Sequence, residues 1–111
     1  MKSQLSLGEF EQIVLLAILR LDDTAYGVAI GREIALCTGR EIAPGAMYTT
    51  LDRLERKGAV RSRIGEATPE RGGRAKRYYT VTKAGVTAVA DAQRAYRSLM
   101  QGLRLPGGAN A

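Results

Sequence analysis

Residues 13–19 read Ile-Val-Leu-Leu-Ala-Ile-Leu without a polar interruption, and this run restricts the fold more than any other stretch of the chain. It lies in a helix predicted over residues 7–21, where Ser6 followed three residues later by Glu9 has the form of a capping box. A surface helix carries one apolar stripe, because its other side must face water. A helix that is apolar on every side has to be covered on more than one. With 111 residues there is room for one domain and one modest core, so a second copy of the chain is the expected source of the extra cover. The run is too short for a membrane span, which needs about 20 apolar residues, and Glu9 and Glu11 precede it where a targeting peptide would be basic.

The remaining punctuation divides the chain into short elements. Asp22-Asp23-Thr24 is a turn, and a second helix is expected over residues 26–38, stopped by Gly39. Residues 41–43 are too short for more than a one- or two-pair strand. Pro44 opens a third helix over residues 45–57, ended by Gly58. Residues 59–64 and 76–81 alternate and carry β-branched or aromatic side chains, which predicts a hairpin with a long Gly-rich tip. Thr82 then caps a last helix reaching residue 103, and residues 106–111 read as a disordered tail. The result is mainly α with a β-hairpin wing: a winged helix-turn-helix domain over residues 1–82, a C-terminal dimerisation helix over 83–103, and a tail over 104–111.

Charge is concentrated on two of these elements. Between Arg53 and Arg77 there are nine basic residues against three acidic ones, so this window holds the whole net charge of +6. A solubilising surface intersperses both signs, whereas a phosphate-binding face gathers one. On the third helix Met47, Leu51 and Leu54 fall on one side and face the core. Gly45, Thr49, Arg53 and Arg56 fall opposite, with Ala46 and Tyr48 on the flanks. Small residues at the helix start permit close approach to base edges, free N–H groups there suit a phosphate, and Arg53 and Arg56 suit guanine edges or phosphates. In the wing, Arg71, Gly73, Arg74 and Lys76 combine cations with backbone that can come close to another molecule; arginine there suits a narrow minor groove. Tyr26 could reach a phosphate or pack, and Tyr79 is expected in the core.

Val89, Ala92, Tyr96, Leu99 and Leu103 follow the 3-4-3-4 spacing of a coiled-coil seam. Together with the doubly apolar first helix, including Phe10 and Val14, they are the expected dimer interface. Histidine is absent and Cys37 is the sole cysteine, which excludes an intrachain disulfide and the usual zinc sites and removes the commonest general acid–base residue. No metal, cofactor or enzymatic activity is expected. Cys37 is expected as a small buried core residue in a cytoplasmic protein.

The stretches L-G-E-F-E (7–11), Y-G (26–27), G-A-M-Y-T-T-L-D-R-L-E-R-K-G (45–58) and G-R-A-K-R-Y-Y-T-V-T-K-A-G (73–85) resemble those of the PadR family of bacterial winged-helix regulators. The resemblance extends over nearly the whole chain to about residue 103, and the single short C-terminal helix is similar to the compact subfamily. It implies that Tyr48 contacts backbone phosphate, that the third helix enters the major groove, and that Arg74 and Lys76 lie near the minor groove. It also implies a homodimeric repressor on an inverted-repeat operator in double-stranded DNA, formed through first and last helices and released by a small hydrophobic effector. The lack of tryptophan argues against an aromatic-sandwich effector pocket. The alternative function is a winged-helix module that binds protein or RNA with no operator specificity.

Overall fold

A computed structural model describes residues 5–65 and 75–106. The elements run α1 (Glu9–Leu21), a single 3-10 turn (Asp22–Thr24), α2 (Gly27–Thr38), α3 (Pro44–Arg56), β1 (Val60–Ile64), β2 (Arg77–Val81) and α4 (Lys83–Met100). The expected order of three helices, hairpin and helix is therefore the observed one.

The helix ends follow from local chemistry. α1 begins two residues later than Ser6 and Glu9 suggested, because the carboxylate that closes its first turn is that of Glu11, accepting from the backbone N–H of Gly8 at 2.8 Å. α2 stops at Gly39, whose φ of 77° lies in the left-handed region and whose N–H donates to the Ala35 carbonyl. α3 starts at Pro44, which needs no N–H at that position, after extended Ala43. The Thr82 side chain accepts from the N–H of Gly85 at 3.1 Å to cap α4, and its hydroxyl donates to the Gly58 carbonyl at 2.6 Å. The last helix is thus fastened to the turn between α3 and β1.

β1 and β2 pair antiparallel, with Val60 opposite Val81 and Ile64 opposite Arg77. A third short partner comes from the segment before α2: Tyr79 N–H donates to the Ala25 carbonyl at 2.8 Å, and Tyr26 bridges Tyr78. Residues 41–43 enter no strand.

The core lies where α1, α2, α3 and the hairpin converge, and comprises Leu15, Ile18, Ile30, Ile34, Leu51, Leu54 and Val60, with Tyr79 buried among them as expected. Three expectations are corrected here. Val14 and Val89, placed at the dimer seam, are buried in this same core, so α1 and the first half of α4 cover each other within one chain. Leu103 lies beyond the end of α4, so the helical seam stops short of it. Cys37 is exposed: it follows Ile30 and Ile34 along the same side of α2 but falls in the last turn, at the open groove between α1 and α2. Phe10 is half-buried at the edge of the core, with the Arg40 guanidinium 5.4 Å from its ring centre. Residues 94–100 are all exposed, and among them Tyr96 and Leu99 are 67% and 80% exposed, while Ala92 is half-buried.

Candidate nucleic-acid interface

The start of α3 presents Gly45, Ala46, Tyr48 and Thr49 to solvent, with Asp52 and Arg56 exposed further along. Met47, Thr50, Leu51 and Leu54 are buried on the other side, so the division of faces read from spacing is the observed one. No side chain caps the N-terminus of α2 or α3 among the described residues. Both helices therefore offer backbone N–H groups and the positive end of the helix dipole outward.

Tyr48 joins the two helix starts. Its ring lies against the backbone of Gly27, where a Cβ would come within 2.5 Å of the phenol oxygen. Only glycine leaves room for the ring there. The hydroxyl consequently stands beside the first turn of α2, in a cleft of about 410 Å³ lined also by Tyr26, Arg32, Ala75, Lys76 and Arg77. The cleft brings a helix N-terminus, a phenol and three cationic side chains to one place. That set can hold a phosphate by charge-assisted hydrogen bonds.

The base of the wing is set by a ladder of rings and cations. Lys76 Nζ lies 3.9 Å from the centre of the Tyr26 ring, Tyr26 meets Tyr78 edge-on at 5.7 Å, and the Arg63 guanidinium lies 4.8 Å from the Tyr78 ring centre. Each cation gains from the ring quadrupole while remaining near solvent. Tyr26 is thereby a platform that positions Lys76. Arg71, Gly73 and Arg74 lie outside the described residues.

Arg53 is corrected. Its Nε donates to Glu11 Oε2 at 2.9 Å, and Lys57 Nζ donates to Glu11 Oε1 at 2.8 Å. The guanidinium expected to face bases is engaged with the first turn of α1. Glu11 is 4% exposed. Burial alone would raise its pKa, but the hydrogen bonds from Lys57, the Gly8 backbone and Arg53 outweigh that and hold it below the usual carboxylate value. Spacing along the third helix did not show this pairing, since its two halves are 42 residues apart. Arg32 was also missed: it stands alone on α2, outside the basic window, and joins the cleft only through the packing of α2 on α3.

A family model for PadR-like transcriptional regulators matches residues 15–91. The chain belongs to the PadR-like family. PadR-like proteins are transcriptional regulators and not enzymes. Solved structures share the fold. The complex structure of hsRosR-S1 aligns with a TM-score of 0.68 at 29% identity, over 87% of this chain and 79% of that one. A transcriptional regulator from Clostridium thermocellum gives 0.68 at 24% identity, over 82% and 85%. A PadR family regulator from Eggerthella lenta gives 0.65 at 24%, over 85% and 81%. A search of curated proteins finds no match. Among the described residues no helix is long and apolar enough to cross a membrane, and no cluster of His, Cys, Asp or Glu could hold a metal.

Proposed function

We propose that this PadR-like regulator is a cytoplasmic homodimeric repressor of an inverted-repeat operator, released by a small hydrophobic effector. The observation that carries the DNA reading is the convergence of the uncapped α2 start, Tyr48 from α3, Arg32 and Lys76 on one cleft. In this reading α3 enters the major groove with Gly45, Ala46 and Thr49 nearest the bases and Arg56 along the groove. Tyr48, Lys76 and the α2 N-terminus take backbone phosphate, and Arg71, Gly73 and Arg74 reach the adjacent minor groove. Phe10, Ala92, Tyr96, Leu99 and Leu103, with Leu16 and Leu19 on the outer side of α1, supply the apolar surface for the second copy; the last six of these except Ala92 are exposed. Residues 1–82 would then be the DNA-binding unit and 83–103 the dimerising segment.

An apolar groove between α1 and α2, about 220 Å³ and lined by Ile13, Leu16, Ala17, Ile34 and Cys37, lies beside that surface and suits a small hydrophobic effector. Selection of bound duplexes from a random pool, at two salt concentrations, tests the reading. Recovery of an inverted repeat with half-sites about one helical turn apart, or a multiple, is the expected result. Equal binding to structured RNA with no preference among duplexes would replace it with the RNA-binding alternative.

A further inference from the structure

Glu11 is the one buried acidic side chain among the described residues. Its carboxylate accepts from Gly8 N at 2.8 Å, Arg53 Nε at 2.9 Å and Lys57 Nζ at 2.8 Å, and Lys57 Nζ donates in addition to the Ser6 carbonyl at 2.7 Å. One acidic group therefore engages two cations that α3 contributes. Arg53 lies one turn after Thr49 and one turn before Arg56, on the edge of the side exposed for DNA. Both cationic side chains remain within reach of solvent, at 44% and 32% exposed. The first turn of α1, where they are held, is the positive end of a helix dipole, so it is the carboxylate that makes the place favourable for two cations.

Resting on the DNA-binding reading above, we propose that Glu11 is a specificity-determining positioning residue that holds Arg53 and Lys57 away from the phosphate backbone. Sequence-independent affinity rises with the number of phosphates neutralised, whereas base contacts from the start of α3 do not depend on these two cations. Withholding them lowers binding to all DNA and leaves the reading of bases intact. The ratio of specific to general binding rises as a result.

The test is the salt dependence of binding to a mixed-sequence duplex, followed by fluorescence anisotropy between 50 and 200 mM salt. Glu11→Gln is expected to bind this duplex more tightly than the unaltered protein. Its log–log salt slope should be steeper by about 0.9 for each released cation that reaches a phosphate, roughly a threefold greater loss of affinity across that range per cation. Adding Arg53→Gln and Lys57→Gln to Glu11→Gln should return the slope to its starting value. A folded Glu11→Gln protein with an unchanged or shallower slope overturns the proposal, since a purely structural role for Glu11 adds no phosphate contacts. If circular dichroism shows that Glu11→Gln does not fold, Lys57→Gln alone decides. An unchanged slope supports the proposal, and a slope shallower by about 0.9 shows Lys57 already on DNA and overturns it. Unaltered protein with no salt-dependent binding to any duplex removes the DNA-binding reading itself, and this proposal with it.

Discussion

Tyr48 and Gly27 depend on one another. The ring occupies the space that a Cβ at position 27 would fill, which is why the hydroxyl stands at the α2 N-terminus. Tyr48→Phe keeps the ring and removes the donor, so affinity should fall by about 1.5 kcal/mol, roughly tenfold, across duplex sequences alike. Gly27→Ala should weaken binding comparably while leaving the melting temperature nearly unchanged, because the displaced group is the tip of a half-exposed side chain. Anisotropy titrations beside thermal melts separate the two effects. At Glu11 the expected effect is on stability. Its folded pKa is held below the usual value near 4.5, so the unfolded chain takes up the proton first as pH falls. The stabilisation is full above that ordinary value and is lost as pH falls through the lower folded one. Facing the carboxylate are only the cations Arg53 and Lys57 from α3 and the Gly8 amide from its own turn, among the described contacts. Melts from pH 7 to pH 3 should show this loss, and Glu11→Gln should flatten it. Of these residues the sequence marked Tyr48, by its place on the flank of a helix. It could not mark the Glu11 pair, because a contact between residues 11 and 53 has no local pattern.

At the scale of elements, caps and stops were legible and pairings across the fold were less so. Gly39 and Thr82 act through bonds to residues within a few positions and Pro44 through the N–H that it lacks, and each terminus they signal is present. The third partner of the hairpin was not legible, since Ala25 and Tyr26 contribute two residues and no alternation. The seam on α4 was half legible. Its spacing holds, but Val89 is spent on the protomer core, and the helix ends at Met100 before Leu103. A 3-4 repeat states that residues share a side of a helix without saying which neighbour covers it. Thr82 provides a test at this scale. It caps α4 and also donates to the Gly58 carbonyl, so Thr82→Ala should cost about 1 kcal/mol and lower the melting temperature by roughly 4–8 °C. Thr82→Ser, which keeps the hydroxyl, should recover most of the loss. Chemical denaturation followed at 222 nm measures both.

For the whole molecule, the question raised by the apolar run at residues 13–19 is how its second side is covered. Val14, Leu15, Ala17 and Ile18 are buried within the chain, and α4 supplies part of that cover. Leu16 and Leu19 remain 39% and 44% exposed, and the end of α4 leaves Tyr96 and Leu99 in solvent. Two such stripes on one small chain are larger than scattered surface apolar residues require, and a two-fold partner would bury both at once. Leu99→Glu places a charge in the centre of that surface without touching the core. It should convert the proposed dimer to a monomer in sedimentation equilibrium while leaving helix content and the melting transition of the winged domain nearly intact. Operator affinity should then fall on the order of a hundredfold, because two half-sites no longer bind as one linked event. Binding to a single half-site should be almost unchanged. A Leu99→Glu protein that remains dimeric would place the contact on α1 alone, and Leu16→Glu would then produce the same losses.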